Sequence, residues 1–208
     1  MIKAVIFDMD GVLIDAKDWH YHALNRALRI FGHEISRADH LTTFDGLPTR
    51  RKLQMLTATE GLPPGLHGFL NELKQSYTLE LVHTHCKPTF VHEYALSQLK
   101  AQGLRIAVAS NSVRNTVQTM MAKAGLERYI DVMLSNEDVS KAKPDPEIYL
   151  TAMRMLDVKP SEALIVEDND NGIRAARAAG AQVLVVHSVA DVNLANIERH
   201  LEPVREAA

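Results

Sequence analysis

The chain has 208 residues, 46% of them hydrophobic and 24% charged, with a formal net charge of -3. That length suits one sizeable core, or a core with a small second unit, and the balance of charge gives no electrostatic basis for binding nucleic acid or an anionic membrane. The single cysteine, Cys86, excludes an intrachain disulfide; no apolar run approaches the ~18 residues of a membrane span and no signal-peptide pattern opens the chain, so a cytoplasmic setting is expected.

The first predicted element is a strand, Ile2 to Phe7, apolar and β-branched as a parallel strand buried on both faces should be. It stops abruptly at Asp8-Met9-Asp10-Gly11. From about 15 to 85 the chain shows helical patterns and no convincing strand. Trp19, Ala23, Leu24, Ala27, Leu28 and Phe31 form an apolar stripe ended by Gly32. A second helix is expected over Thr49 to Thr59 and a third from about Leu66 to Val82. His83-Thr84-His85-Cys86 reads as a hinge segment: a zinc site needs three or four ligands, and no partner cluster at suitable spacing accompanies the two histidines.

From 86 onward, strand and helix alternate. Strands are expected at Arg105–Ala109, Val132–Leu134, Ala163–Val166 and Gln182–Val186. Helices are expected at Val91–Lys100 and Val113–Ala124, after Asp145-Pro146, and from about Asp170, the expected N-cap, to Gly180. A short helix is expected beyond Asp191. This alternation predicts an α/β fold, a doubly wound parallel sheet, formed by residues 1–14 and 86–208, with an all-α insertion at 15–85 over the carboxyl end of the first strand.

Ligands of open α/β sheets bind beyond the carboxyl ends of the strands. Polar clusters stand there after four strands: Asp8 and Asp10, then Ser110-Asn111-Ser112, then Lys141 to Pro144, then Glu167-Asp168-Asn169-Asp170. This inventory suits phosphoryl transfer to a carboxylate. An anionic nucleophile approaching an anionic phosphate needs a hard divalent cation held by oxygen, usually Mg²⁺. Asp8, Asp168 and a main-chain carbonyl near Asp10 are candidate ligands. A lysine and a hydroxyl can hold the phosphoryl oxygens, and two nearby acids can divide attack from proton transfer.

These stretches also carry a resemblance. Phe7 to Asp15, Ala109 to Ser112, Lys143-Pro144-Asp145-Pro146-Glu147-Ile148-Tyr149, and Val166 to Asn169 with Gly172-Ile173 and Ala175-Ala176 occur in the order seen in the haloacid dehalogenase superfamily. The chain most resembles its helical-cap branch, which includes β-phosphoglucomutase and small sugar phosphatases. The resemblance implies Asp8 as nucleophile and Asp10 as general acid and base. It implies Ser110 and Lys143 as phosphoryl ligands, and Asp8, the Asp10 carbonyl, Asp168 and Glu167 around Mg²⁺, with Glu167 acting directly or through water. Lys-Pro-x-Pro spacing favours Lys143 over Lys141 as the phosphate ligand.

Substrate contacts are expected from Asn111, from His20 on the first insertion helix, and from Arg50 and Arg51 after Gly46-Leu47-Pro48-Thr49, with Lys74 a further candidate. The resulting expectation is a Mg²⁺-dependent phosphatase for a small phosphorylated metabolite, a sugar phosphate in the first instance. A β-phosphoglucomutase-like mutase is the alternative; it is weakened by Thr49, where the mutase arginine would stand, and by Ala16 in place of a polar hinge residue. A dehalogenase would not need Asp10 or the metal acids. A non-catalytic binding protein on this fold would typically lack one of the two aspartates.

Overall fold

The computed structural model describes residues 1–201; the last seven positions of the predicted 86–208 core segment lie outside the described residues. Five strands, β1 (Ala4–Phe7), β2 (Arg105–Ala109), β3 (Val132–Leu134), β4 (Ala163–Glu167) and β5 (Gln182–Val185), form one parallel sheet in the order β3-β2-β1-β4-β5. The central strand, β1, pairs with β2 on one side and β4 on the other, with Phe7 opposite both Val108 and Val166. The order reverses at β1, so the crevice at its carboxyl end is the topological switch point of the sheet.

Alternation along each strand divides the core. Val5, Phe7, Ile106, Val108, Leu164 and Val166 face one side. There they meet α5 (Phe90–Ala101), α6 (Arg114–Lys123) and α9 (Leu194–Leu201). Ala4, Ile6, Ala107, Ala109 and Ile165 face the other, against α7 (Glu147–Met155) and α8 (Asp170–Ala178). Small residues on that second face let the helices approach the sheet closely.

Between β1 and α5 the chain is helical: α1 (Lys17–Leu28), α2 (Arg37–Thr42), α3 (Thr49–Glu60) and α4 (His67–His85). Leu24, Ala27, Leu28, Leu53, Leu56, Leu62 and Leu70 bury themselves in a separate cluster. The expected α1 stripe is present, followed by a 3₁₀ turn that Gly32 ends in a left-handed conformation. α1 and α4 pack on each other, and α4 also packs on α6. Val82 and Trp19 join the main core, tying the roots of both helices to the sheet.

Several expectations need correction. The third helix does not stop at Val82 but runs to His85, so the presumed hinge segment is its last turn. His83 and His85 are exposed there and, two apart on a helix, do not share a face. Buried Cys86 donates its thiol toward the Met120 carbonyl. α2 was not expected, although Ser36 caps it by accepting from the Asp39 N–H, a Ser-x-x-Asp start signal. The N-cap of α8 is Asn169, which accepts from the Gly172 N–H, and Asp170 is already in the helix. β5 ends one residue early, at Val185. No described helix is long and apolar enough to cross a membrane.

Candidate active site

The carboxyl ends of β1, β2 and β4 converge because the strands are in register. Asp8, one residue past β1, donates its N–H to the Val166 carbonyl, and Ser110, one past β2, donates to Leu134. Glu167 closes β4. These positions are fixed by sheet hydrogen bonding rather than by mobile loops.

Lys143 is the electrostatic centre. Its Nζ lies 2.7 Å from Asp8 Oδ1 and 2.7 Å from Glu167 Oε1, and it is buried. Burial pulls its pKa down, but the two carboxylates outweigh burial and hold it above the usual lysine value. Asp8 is pushed well above the ordinary carboxylate range, first by burial and then by Glu167, Asp168 and Asp10, against the opposing pull of Lys143. Lys141, the rival lysine, is exposed and 3.9 Å from Asp145; it does not line the cavity.

Glu167 is fully enclosed. Its Oε1 accepts from Lys143 and from the Tyr149 hydroxyl at 2.6 Å; its Oε2 accepts from the Asp168 N–H and from Asn169. Asp8, Glu167 and Asp168 each offer an oxygen within 4.8 Å of the others, a buried acidic triad suited to a metal ion. Two observations support the fit. Asp168 Oδ2 is buried without a well-formed hydrogen bond, its near cation being Lys17 Nζ at 2.7 Å. The Asp10 carbonyl accepts no hydrogen bond from the described residues. Room for Asp168 exists because residue 11 is glycine: a Cβ there would stand 2.1 Å from Asp168 Oδ2.

Asp10 is held from both sides. Its Oδ1 is 2.9 Å from His20 Nε2, and its Oδ2 accepts from Ser112 Oγ at 2.9 Å. Burial raises its pKa, but the contacts with His20 and Ser112 outweigh burial and leave it lowered. His20 is in turn pulled below the ordinary imidazole value, by burial and then by Lys74. The partners therefore assign a neutral ring: Lys74 Nζ donates to His20 Nδ1 at 3.0 Å, and His20 Nε2 donates to Asp10.

A cavity of about 300 Å³ opens above these groups, at the low end for small-molecule sites. Asp8, Asp10, Ser110, Asn111, Lys143, His20 and Arg50 line it, together with Lys17, His40, Lys52 and Lys74. Arg51 is exposed and does not line it. Asn111 touches the cavity, but its amide is already used: Nδ2 donates to the Gly46 carbonyl and Oδ1 accepts from the Lys143 N–H. Sequence reasoning missed Lys17, His40, Lys52, Ser112 and Tyr149. Ser112 and Tyr149 sit inside recognised stretches; nothing in the local pattern marks Lys52 as buried.

The profile of the haloacid dehalogenase-like hydrolases matches residues 5–186. The chain belongs to this family. It is an enzyme, a phosphatase of that family. A phosphorylated carbohydrates phosphatase from Thermotoga maritima is 32% identical over 195 residues, covering 91% of this chain and 88% of that one. CbbY from Rhodobacter sphaeroides, crystallised with xylulose-(1,5)bisphosphate, superposes with a TM-score of 0.81 at 25% identity, covering 89% and 86% of the two chains. A β-phosphoglucomutase from Clostridium difficile shares the fold, with a TM-score of 0.85 at 23% identity over 97% of each chain.

Proposed function

We propose that the chain hydrolyses a small phosphorylated metabolite, a sugar phosphate, with Mg²⁺ and an aspartyl-phosphate intermediate on Asp8. The observation that carries this is the pairing of Lys143 with Asp8 at 2.7 Å beside a second, separately held carboxylate, Asp10. The phosphorylated carbohydrates phosphatase and the sugar-bisphosphate complex among the relatives support the substrate class.

Asp8 Oδ1 is bound to Lys143, which leaves Oδ2 to attack phosphorus. A bond forms from Asp8 Oδ2 to phosphorus while the bond to the leaving oxygen breaks. Asp10, an anion in the resting site, takes up a proton from solvent or from the ester itself as the substrate arrives, and passes it to that oxygen. An arriving phosphate adds negative charge beside Asp10 and raises its proton affinity, which suits this role. Water then attacks the aspartyl phosphate, Asp10 takes its proton, and Asp8 and inorganic phosphate are released. Lys143 and Ser110 hold the phosphoryl oxygens as charge redistributes. Asp8, Asp168 and the Asp10 carbonyl would hold Mg²⁺, which offsets the repulsion between nucleophile and phosphate. Glu167, with both oxygens already accepting protein donors, sits behind them and orients Lys143 and Asp168.

Helices α1 to α4 act as a cap over the strand ends, excluding water and selecting the leaving group. The test is phosphate release from a panel of sugar phosphates, with the β-phosphoglucomutase bisphosphate cofactor included. Release that needs Mg²⁺ and is lost in Asp8→Asn is expected. Activity that persists in that variant or under chelation overturns the mechanism, and isomerised sugar phosphate without phosphate release would assign the mutase reaction instead.

A further inference from the structure

Lys17 opens α1, the first helix of the insertion, and its ammonium reaches back to the strand ends. Nζ stands 2.7 Å from Asp168 Oδ2 and 3.6 Å from Asp45 Oδ2. Its stem crosses the turn at Gly11: a Cβ on that residue would lie 2.7 Å from Lys17 Cε. The oxygen it meets belongs to one of the three carboxylates suited to a metal ion, Asp8, Glu167 and Asp168. Those carboxylates face two ammonium groups, Lys143 and Lys17. A divalent cation arriving there meets both positive charges at close range, where burial weakens screening.

The two lysines are not equivalent. The Lys143 side chain is 2% exposed, and its carboxylate partners among the described residues, Asp8 and Glu167, both belong to the triad. The Lys17 side chain is 31% exposed, and only one of its partners belongs to the triad. The other, Asp45, lies in the loop before α3 with 26% of its side chain exposed. That loop is anchored on the core: the Asp45 carbonyl accepts from Asn171 and the Gly46 carbonyl from Asn111. Turning about its flexible stem, the Lys17 ammonium can leave Asp168 and remain paired with Asp45. Asp168 is released without moving, because its Oδ1 accepts from Asn169 at 3.3 Å and its N–H donates to Glu167.

We propose that Lys17 is a displaceable counter-ion of the metal site: its ammonium holds Asp168 Oδ2, gives it up to an arriving divalent cation and moves onto Asp45, so that the loop before α3 helps set how tightly the metal binds. This rests on the metal-assisted reading above and names a residue that tunes it. Lys17 touches a metal ligand rather than substrate, and is a positioning residue. Its charge spares the fold a buried, uncompensated carboxylate when no metal is bound, and it lowers metal affinity because the cation must displace it. Handing the lysine to Asp45 ties the root of α1 to the docked loop, so metal loading and docking of that loop favour each other.

The test measures metal binding without turnover: Mn²⁺ is titrated with enzyme in the absence of any ester, and the free ion is read by electron paramagnetic resonance. In Lys17→Met and Lys17→Gln, Mn²⁺ should bind at least about fivefold more tightly than in the wild type, the scale of one partly screened charge at close range. Lys17→Arg keeps the charge and should bind as weakly as the wild type. Lys123→Met, which removes the same charge from the exposed end of α6, should change nothing. Asp45→Asn should weaken binding in the wild type but not in the Lys17→Met background, where no lysine is left to receive. Binding unchanged or weakened in both neutral Lys17 variants overturns the proposal; loss of a partner that merely orients Asp168 would weaken it about 10- to 100-fold. An Asp45→Asn effect of equal size in both backgrounds overturns it too, as does bound Mn²⁺ indifferent to Asp168→Asn. Tighter Mn²⁺ binding in the neutral Lys17 variants, with no ester hydrolysed by any of the proteins, would sustain the counter-ion and overturn the phosphatase reading; Mg²⁺-dependent hydrolysis with Mn²⁺ affinity indifferent to Lys17 would do the reverse.

Discussion

Tyr149 donates its hydroxyl to Glu167 Oε1 at 2.6 Å, and both side chains are fully buried. Burial, then the charges of Glu167 and Asp8, push the tyrosine pKa well above its ordinary value, so it remains a donor. The same Glu167 oxygen accepts from Lys143, so Tyr149 on α7 helps fix the lysine that contacts Asp8. Tyr149→Phe removes one donor and adds no bulk. It should cost about 1–3 kcal/mol in urea denaturation, and lower kcat several-fold with little change in KM. A variant of wild-type stability and wild-type kcat would show that Lys143 alone suffices to orient Glu167.

His20 stands between Lys74 and Asp10, taking a proton bond from one and giving one to the other. His20→Asn shortens the side chain and breaks both links. Because Ser112 still holds Asp10 Oδ2, the carboxylate remains but its second oxygen loses direction. We expect kcat to fall about 10- to 100-fold, within the range for disturbed general acid–base catalysis. The loss should shrink for esters with a good leaving group such as p-nitrophenol, which need less protonation. An equal loss for good and poor leaving groups would remove Asp10 positioning as the role of His20.

Gly46 marks where the loop before α3 meets the sheet. Its φ is +67°, and a Cβ there would stand 2.4 Å from Asn169 Oδ1. Its carbonyl accepts from Asn111, and the adjacent Asp45 carbonyl accepts from Asn171. Gly46→Ala therefore strains the backbone and collides with the N-cap of α8. KM should rise and kcat fall, while the fold, held by the sheet and its two flanking cores, keeps its far-ultraviolet circular dichroism. Wild-type kinetics in Gly46→Ala would mean the loop does not need this docked position.

Much of this was legible in the sequence because the sheet itself writes it. Period and composition gave every strand to within a residue or two, since a parallel strand buried on both faces admits few polar side chains. Asp8, Ser110 and Glu167 then followed, being the first polar residues where those runs end. The helical stretch was harder. α2 has six residues and one buried side chain, His40, so it left no stripe to read. Arg50 and Arg51 look equivalent in sequence, yet α3 turns only Arg50 to the cavity. Lys52 was invisible for the opposite reason: lysine is assumed to be solvated, and only the docking of α3 over the strand ends reveals one that is not.

The same lysine makes stability depend on pH in a direction that can be checked. Lys52 titrates near 8 in the folded chain, against an ordinary value of 10.5 that the unfolded chain should keep. Between those values the unfolded chain holds a proton that the folded one has lost, so stability rises with pH across this window. Below about pH 8 both states are protonated and the fold carries the full cost of the buried charge. Lys52→Met removes that cost at every pH. At about pH 7 the variant should be the more stable protein; by about pH 9.5 its advantage should shrink by about 2 kcal/mol, because the wild-type ammonium has been neutralised. His40, His20, Lys74, Asp45 and Asp10 act on Lys52 or feel its charge, and all are present in both proteins, so the difference between the two denaturation series isolates position 52 apart from the shift that Lys52 itself imposes on its neighbours. A difference that stays constant from pH 7 to 9.5 would show that Lys52 is solvated after all, and that its amine does not face the cavity unpaired.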